Sequence, residues 1–325
     1  MTNEKNIRVR AHSDADGITS AYFLSWAVKN PKIEIWTGDF GDTTGLKKGD
    51  YMVDMKPIQN MEGLNVIDHH FPHPEDRKYN LYPDLKNDCI RYASDIIPAT
   101  YLVWDKYKEE IPKSQWWKIA IGLMGDGQPQ LIPTEVFDLC PELSENIKTS
   151  IVTNYGKISV NSWPMYKLLS SPINALLRMS EDTKALNLLA MSTTPRHIFN
   201  NVDARKAKNE VKSEFNRILG LYNQDKLNIN CEIFDFSKLM IVTYQSDIRM
   251  AGYIATQLNS QTGKTILCID KKTGKGSLRG DLAVYWGDKL KHFEYLTVGG
   301  HPGYMGLSVT KDVNSFIDDI LEMKV

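Results

Sequence analysis

The stretch that decides the fold is His12-Ser13-Asp14-Ala15-Asp16-Gly17-Ile18-Thr19-Ser20. It follows the alternating apolar segment 7–11, which predicts a buried β-strand, and it leads into the helical pattern 18–29. The carboxylate-rich loop therefore lies between the carboxyl end of a strand and the start of a helix. Open α/β sheets bind ligands at such places, and the free N–H groups of a helix start attract phosphate. Gly17 allows the backbone to approach a neighbour closely.

This first run, taken alone, supports two interpretations equally. His12, Asp14 and Asp16 carry the nitrogen and oxygen ligands that divalent metals use, and the two aspartates are spaced so that both can face one point. Alternatively, the aspartates cap the following helix and His12 is an ordinary buried histidine. A second run is needed to separate these interpretations.

Further acidic and imidazole groups close two more strand-like segments, 51–54 and 65–70. These groups are Asp54, Asp68, His69 and His70. The ends of neighbouring parallel strands lie side by side, so residues distant in sequence converge there. Helix capping does not account for Asp54, His69 and His70, because Pro57 and Pro72 soon follow. The two runs together predict a two-metal site.

Asp126 is a further candidate ligand, in the segment Gly125-Asp126-Gly127 that ends the apolar helical stretch 116–124. Its flanking glycines let the backbone bend inward. Taken alone, the segment would more often be a simple Asp-Gly turn. Beside the other runs we favour a ligand.

In order along the chain, these motifs resemble those of the DHH phosphoesterase family: His12-x-Asp14-x-Asp16-Gly17, Asp54, Asp68-His69-His70 and Asp126. Two C-terminal motifs resemble the DHH-associated substrate domain of RecJ exonucleases, nanoRNases and cyclic-dinucleotide phosphodiesterases: Ser277-Leu278-Arg279 and Gly299-Gly300-His301-Pro302-Gly303. The resemblance spans most of the chain. Val298 takes the first glycine position of that signature, and Tyr304 and Met305 replace small residues, which affects the shape of the substrate pocket.

The resemblance implies a pair of manganese(II) ions, with magnesium as the alternative, and a set of ligands for each ion. One ion would be held by His12, Asp14 and Asp54, and the other by Asp16, Asp54, His69 and Asp126. Asp54 is then the bridging ligand. Asp68 and His70 are the expected catalytic residues, Asp68 by orienting a histidine and His70 by touching a phosphate oxygen.

The C-terminal motifs predict a phosphate clamp, by which we mean Arg279, Gly299, Gly300 and His301. The two glycines free backbone N–H groups for an anion, and the histidine and arginine add side-chain donors. The competing interpretation is a glycine-rich turn without a ligand. Arg249, at the start of a predicted helix, is a weaker substrate-binding candidate that could equally pair with a nearby acid.

Amino-acid composition and net charge limit the expected cellular location of the protein and the expected length of its substrate. The chain has 325 residues, 42% of them hydrophobic, and contains no apolar run near the roughly 20 residues that span a membrane. The polar start, residues 1–6, and four cysteines without a CxxC pair predict a cytoplasmic protein whose cysteines serve packing. A net charge of −1 lacks the basic excess of proteins that grip long nucleic acids, so we expect a short substrate.

The predicted fold class is α/β: a parallel-sheet DHH domain with a helical appendage, followed by a smaller α/β substrate-binding domain. Strand and helix signals alternate up to about residue 124, and 141–191 is mainly helical in pattern. Strand patterns return at 230–234, 238–243, 265–270 and 276–279. We therefore predict a catalytic domain over 1–200, a helical linker over 201–227 and a substrate domain over 228–325.

The expected function is a manganese-dependent phosphodiesterase or exonuclease. It would hydrolyse short single-stranded RNA or DNA to mononucleotides with water activated by two metal ions. The alternatives are a RecJ-like exonuclease for longer single-stranded DNA, a cyclic-dinucleotide phosphodiesterase, and a non-catalytic nucleic-acid-binding scaffold. No membrane partner is expected, and a homodimer is compatible with the sequence. RNA or DNA preference and the polarity of attack are left open.

Overall fold

The computed structural model describes residues 7–38, 40–57, 61–70, 90–93, 97–152, 158–222, 231–235, 238–301 and 303–323. The chain forms two compact units. Unit 1 comprises 1–177 and 181–208, and unit 2 comprises 178–180 and 209–325. One helix, α8 (Val202–Tyr222), covers most of the predicted linker and extends from unit 1 into unit 2. The boundaries at 200 and 228 stay predictions, and residue 228 lies outside the described residues.

Unit 1 is built on a five-stranded parallel sheet, in the order β2-β1-β3-β4-β5. The strands are β1 (Arg8–His12), β2 (Lys32–Trp36), β3 (Tyr51–Val53), β4 (Asn65–Asp68) and β5 (Ile90–Ala93). The chain runs from β1 to one neighbour, β2, and then crosses to the other neighbour, β3. A ligand crevice forms at such a switch point, beyond the carboxyl ends of the two strands. The parallel sheet confirms the predicted α/β fold class.

The helices of unit 1 are α1 (Ala15–Ala27), α2 (Ala99–Tyr107), α3 (Ile119–Gly125), α4 (Thr134–Leu139), α5 (Ser170–Arg178), α6 (Asp182–Met191) and α7 (Pro195–Asn200). Helix α1 lies between β1 and β2, and the later helices follow β5 along the chain, with α5 and α6 inside the predicted helical appendage. Helix α1 is buried along its first ten residues, from Ala15 to Leu24. It packs against α2 and α3 as well as the sheet, so the loop before it is held rigidly.

A hairpin, β6 (Asn146–Val152) and β7 (Ile158–Pro164), lies inside the segment that the sequence pattern predicts to be mainly helical. Its strands are rich in Ile, Val, Thr and Trp, the β-branched and aromatic types that favour a pleated surface. The helical prediction for 141–191 therefore left out a two-stranded element, because the flanking helical periodicity is stronger.

Unit 2 contains a six-stranded, mostly antiparallel sheet in the order β12-β13-β11-β10-β9-β8. The strands are β8 (Cys231–Asp235), β9 (Leu239–Tyr244), β10 (Thr265–Asp270), β11 (Lys275–Arg279), β12 (Leu296–His301) and β13 (Tyr304–Val309). Helix α9 (Ala251–Thr262) packs on β10 and β11. Helices α10 (Ala283–Leu290) and α11 (Val313–Glu322) join a core with the alternate buried residues of β13. The four strands predicted in this part of the chain are present within one residue at either end, as β8, β9, β10 and β11.

Among the residues described, no helix is both long and apolar enough to cross a bilayer. Cys268 is buried, as the packing prediction expects, and Cys140 is partly buried. Cys89 and the side chain of Cys231 lie outside the described part of the chain.

Candidate functional site

Three neighbouring strands of unit 1 end in the predicted ligands. His12 is the last residue of β1, Asp54 directly follows β3, and His69 directly follows β4. Asp54 has a φ of +56°, in the left-handed region that Asp tolerates better than most residues. Because the strands are parallel and adjacent, their ends bring these side chains to one edge of the sheet.

The loop before α1 contributes Asp14, which has two functions at once. Its Oδ1 accepts a hydrogen bond from Gly17 N at 2.9 Å and caps α1, while its Oδ2 lies 2.9 Å from His12 Nδ1. Gly17 is required there, because a Cβ would lie 2.3 Å from the carbonyl oxygen of His12. Capping and site formation are therefore compatible rather than exclusive explanations of Asp14.

Asp16 lies in the first turn of α1 but caps a different helix, α2. Its Oδ2 accepts from Ala99 N at 2.8 Å and its Oδ1 from Thr100 N at 2.9 Å, at the start of α2. Its backbone carbonyl also accepts from Ser20 and Thr100. These bonds fix the carboxylate orientation from two sides, although the two segments are far apart in sequence.

Asp126 reaches the same place from the end of α3. Its N–H bonds back to Gly122, and Gly127 follows with a φ of +69°, so the segment is an Asp-Gly turn as well as a part of the site. A Cβ on Gly125 would lie 3.0 Å from the Cβ of Ala15. The absence of a side chain at Gly125 thus allows α3 to approach α1 and brings Asp126 inward.

His69 and Asp54 lie at the centre of the group. His69 Nε2 is 3.0 Å from Asp54 Oδ1, 3.2 Å from Asp126 Oδ2 and 3.6 Å from Asp16 Oδ2. On the other side, Asp54 Oδ2 is 3.4 Å from His12 Nδ1. We call His12, Asp14, Asp16, Asp54, His69 and Asp126 the carboxylate–histidine cluster. Asp54 connects its two halves.

Burial and crowding shift the pKa values of the cluster. Burial and the charge of Asp54 raise the pKa of Asp16 to about 7, and burial with the charges of Asp16 and Asp54 raises that of Asp126 well above its usual value. Burial alone would raise the pKa of Asp54, but His12 and His69 hold it well below its usual value. Burial lowers the pKa of His69, yet Asp54 raises it more, to about 10.

The two predicted catalytic residues lie beside this cluster. Asp68 Oδ1 is 2.8 Å from His70 Nδ1, and the same nitrogen is 3.6 Å from Asp54 Oδ1. Asp68 is buried at the end of β4, so its carboxylate holds the Nδ1 edge of the His70 ring in place. The contact with Asp68 therefore fixes the orientation of the His70 imidazole.

Phe40 is a contributor that the sequence patterns did not indicate. Its ring meets His12 edge-on with centroids 5.6 Å apart and His70 with centroids 5.1 Å apart. The buried Arg10 supports the segment after Phe40, since its guanidinium donates to the carbonyls of Asp42 and Thr44 and stacks 3.9 Å over Trp36. Only the tertiary contacts reveal this, because Phe40 lies in no recognisable motif.

The ligand atoms fall into three overlapping groups, in each of which they lie within 4.8 Å of one another. The groups are His12–Asp14–Asp54, Asp16–His69–Asp126 and Asp54–His69–His70. Asp54 Oδ2, Asp126 Oδ2 and His12 Nδ1 are buried without a hydrogen-bond partner, although each lies near another polar atom of the cluster. Buried acceptors without donors are costly unless a cation binds them, so the donor set fits divalent metal ions.

In unit 2, the predicted substrate-binding arginines lie near a third arginine. The backbone N–H of Arg249 donates to the carbonyl of Arg178 at 3.1 Å, and Arg178 Nη1 donates to the carbonyl of Arg249 at 3.3 Å. Burial lowers the pKa of Arg279 to about 10, and the positive charge of Arg178 adds to this shift. Arg178 was not predicted; it ends α5, outside any motif, and only the fold brings it here.

Arg279 also lies at the start of α9, where a Cβ on Gly252 would be 3.2 Å from its Nη2. Its Nη1 donates to the carbonyl of Met305 at 2.8 Å, and its Nε is buried without a hydrogen-bond partner. The guanidinium therefore has a fixed position with a donor still available, as an anion site requires.

The glycines of the predicted clamp lie on β12, two strands away from Arg279 in the order β12-β13-β11. Gly299 has open space where a Cβ would be, whereas Gly300, with a φ of +139°, would place a Cβ 2.4 Å from the carbonyl oxygen of Tyr304. Gly300 is thus required by the hairpin itself. The side chain of His301 lies outside the described residues, so its role as a donor stays a prediction. We call Arg178, Arg249, Arg279, Gly299 and Gly300 the unit-2 anion site.

Comparison with known proteins identifies structural relatives but no sequence relatives: no family model and no curated protein sequence matches the chain. RecJ from Thermus thermophilus is similar in two crystal structures, with Mn²⁺ (16% identity, TM-score 0.57) and with Mg²⁺ (17%, 0.56). The match covers 93% and 98% of this chain but only 49% and 50% of theirs, so the chain spans about half the length of that RecJ.

Two further structures match over most of both chains. A structure of exonuclease RecJ bound to manganese shares 15% identity at a TM-score of 0.58, over 96% of this chain and 88% of the other. The DHH domain of a member of a family of ribosomal proteins shares 12% identity at a TM-score of 0.61, over 97% and 86%. At these identities the similarity establishes the fold. Together with the strand order and the motifs at the strand ends, it shows that this chain has the DHH phosphoesterase fold.

Proposed function

We propose that the protein is a two-metal phosphodiesterase that hydrolyses short single-stranded oligonucleotides to mononucleotides, with manganese(II) as its preferred ion. The observation that carries the proposal is the convergence of four carboxylates and two imidazoles from separate elements at one edge of the sheet, where Asp16, Asp54 and His69 are buried. Two divalent cations would balance the four carboxylate charges of Asp14, Asp16, Asp54 and Asp126.

The ligand chemistry favours manganese over magnesium. Carboxylate oxygens suit either ion, but the imidazoles of His12 and His69 are better ligands for manganese. His12, Asp14 and Asp54 would hold one ion and Asp16, Asp54, His69 and Asp126 the other, with Asp54 shared. Bound divalent cations neutralise the phosphate charge and lower the pKa of water, which supplies the nucleophile for phosphoester hydrolysis.

The residues around these ligands would orient the ligand side chains and His70, and would exclude water from part of the site. Ala99 N and Thr100 N hold the Asp16 carboxylate, and Asp68 holds His70 so that the Nε2 edge of its ring can donate to a phosphate oxygen of the substrate. Phe40 packs against His12 and His70, and it keeps water away from one side of both rings.

The unit-2 anion site would bind a phosphate of the substrate. Arg178, Arg249 and Arg279 lie near one another at the start of α9, and this positive charge favours a phosphate. Gly299, two strands away on β12, adds open backbone. The chain as a whole has a net charge of −1, which fits a short substrate better than a long nucleic-acid strand. A reducing cytoplasm suits a chain whose four cysteines form no CxxC pair.

A panel of substrates tests the proposal. The full chain would be incubated in Mn²⁺, and separately in Mg²⁺, with labelled dinucleotides, tetranucleotides, long single strands of RNA and DNA, and cyclic di-AMP. We expect dinucleotides to be converted to mononucleotides at a rate that does not rise with strand length, and EDTA to stop the reaction. Hydrolysis of none of these substrates with either ion contradicts the proposal.

The other outcomes of the panel identify the competing functions. A rate that rises with strand length would indicate a RecJ-like exonuclease, and cleavage confined to cyclic di-AMP a cyclic-dinucleotide phosphodiesterase. Binding of single strands without turnover, together with no bound Mn²⁺ at neutral pH, would indicate a non-catalytic scaffold.

A further inference from the structure

Tyr304 is a large aromatic residue at a position where the DHH-associated signature has a small one. It begins β13 and its side chain is 60% exposed, the largest exposed fraction among the aromatic residues described. Exposure alternates along the strand, so that Tyr304 and Gly306 face outward while Met305 and Leu307 enter the core. The side chain of Tyr304 therefore lies on the face of the sheet opposite this core.

Two glycines lie on the same face of the sheet as Tyr304, two positions along the strands. Gly306 pairs directly with Gly299 across the β12–β13 ladder, on the same face as Tyr304. A Cβ on Gly299 would meet nothing within 4 Å, and a Cβ on Gly306 would meet only Gly299 O, at 3.9 Å. The Gly299–Gly306 pair thus leaves a flat strip without side chains beside a standing aromatic ring, a shape that accepts a planar group.

A phosphate-binding group adjoins the same ring. Arg279 pairs with Tyr304 across β11 and β13, and its guanidinium carbon lies 5.1 Å from the ring centroid. The buried Arg279 Nε lacks a hydrogen-bond partner, and the positive charge of Arg178 helps to lower the pKa of the same guanidinium. A ligand that fills both features carries a phosphate and, next to it, a flat aromatic group.

We propose that Tyr304 and the Gly299–Gly306 strip form a stacking platform for the nucleobase of a nucleotide whose phosphate binds at Arg279. The proposal rests on the function proposed above and specifies how that substrate class is recognised. Stacking is tolerant of base identity, because every base has a π-face, and its strength grows with the overlapping area. The platform therefore favours purine over pyrimidine nucleotides without selecting one base.

The experiment compares two ligands that share a phosphate and differ in the base. Binding of AMP and of ribose 5-phosphate to the full-length chain would be measured by titration calorimetry, without substrate turnover. We expect AMP to bind about tenfold more tightly than ribose 5-phosphate, as base–aromatic stacking implies. Tyr304→Ala should remove most of this difference, and Tyr304→Phe should keep it. Ribose 5-phosphate should bind all three proteins alike.

A second variant tests the strip without touching the aromatic ring. Gly306→Val adds a side chain that meets only ordinary contacts in a regular strand, so the fold should be retained or become more stable. We expect it to weaken AMP binding to the level of ribose 5-phosphate. Tyr285→Ala is the matched control, since Tyr285 is an exposed tyrosine of the same unit on α10 and should leave both affinities unchanged.

Equal binding of AMP and ribose 5-phosphate, no AMP binding, or an unchanged difference in Tyr304→Ala overturns the platform. These readouts are independent of the hydrolysis panel. A chain that binds AMP through Tyr304 but cleaves no oligonucleotide would retain the platform and contradict the proposed function. A chain that cleaves dinucleotides with Tyr304→Ala unaffected in AMP binding would do the reverse.

Discussion

The carboxylate–histidine cluster of unit 1 and the anion site of unit 2 are built in opposite ways. The cluster is made of side chains of both charge signs in mutual contact, and Asp54, Asp16 and His69 are nearly inaccessible. The anion site collects side chains of one sign, held chiefly by backbone carbonyls, and leaves open backbone at Gly299.

This difference indicates different functions for the two regions. Converging carboxylates, some of whose oxygens accept no hydrogen bond, suit the binding of cations. Arginine N–H groups and the exposed backbone of glycines suit the binding of anions. If the proposed function is right, changes in unit 1 should act mainly on kcat and on metal binding. Changes in unit 2 should act mainly on KM.

The largest expected effect comes from the shared ligand of the cluster. Asp54→Asn keeps the size of the side chain and tolerates the left-handed backbone, but it removes the charge between the two halves. We expect kcat to fall by at least about 1,000-fold, equivalent to about 4 kcal/mol of barrier, and Mn²⁺ binding measured by calorimetry to weaken. Asp138→Asn, at an exposed aspartate of α4, is the control. A normal rate in Asp54→Asn would refute the bridging role.

A smaller effect is expected at the residue that orients His70. Asp68→Asn loses the charged partner of His70 Nδ1, so we expect kcat to drop by about 10- to 100-fold, as for other groups that orient a functional histidine. KM should change little, because Asp68 does not reach the substrate. A change in KM alone, with kcat intact, would place Asp68 in substrate binding instead.

In unit 2, Arg279→Lys tests whether a substitution at the anion site changes KM, whereas substitutions in the cluster change kcat. Lysine keeps the charge but loses the planar fork that donates to Met305 and the buried Nε–H. We expect KM to rise about tenfold with kcat nearly unchanged, and the midpoint of thermal unfolding to show that the fold persists. Arg217→Lys, on the exposed face of α8, serves as the matched control. A fall in kcat without a rise in KM would contradict the division between the two regions.

The smallest expected effect is on the stability of the fold and comes from the buried Lys118. Unlike the histidines of the cluster, which lie against carboxylates, Lys118 donates to neutral oxygens. Lys118 Nζ donates to Tyr22 Oη at 3.0 Å and to Gln115 Oε1 at 2.6 Å, and burial lowers its pKa to about 7. The unfolded chain holds this proton up to about pH 10.4, so the folded chain releases it first as pH rises. The free energy of unfolding should therefore increase between pH 7 and 9, by about 1 kcal/mol per pH unit.

Lys118→Met should remove that increase. Chemical denaturation of the wild type and the variant at several pH values measures it as the difference between the two profiles. Parallel profiles from pH 7 to 9 would show that Lys118 does not titrate in this range.

Local patterns predicted much of this architecture because side-chain periodicity reports burial. The strand 265–270 was predicted to the residue, and the ligand types at the ends of β1, β3 and β4 were recognisable from strand-end position alone. The hairpin β6–β7 was not, since its strands lie among stronger helical signals. Phe40 and Arg178 carry no motif, so their places beside His70 and Arg249 could not be predicted.

The sequence by itself determined the acidic and imidazole side chains at the strand ends, the alternation of strand and helix, and the glycines that permit close approach at Gly17 and Gly300. Only the tertiary structure decided that Asp16 would bond to Ala99 and Thr100, that Gly125 would bring Asp126 to His69, and that Tyr304 would stand beside bare backbone. The physical reason is the distance along the chain over which each kind of interaction acts. Periodicity and turn chemistry act between neighbours along the chain, whereas the approach of segments far apart in sequence depends on how whole helices and strands pack.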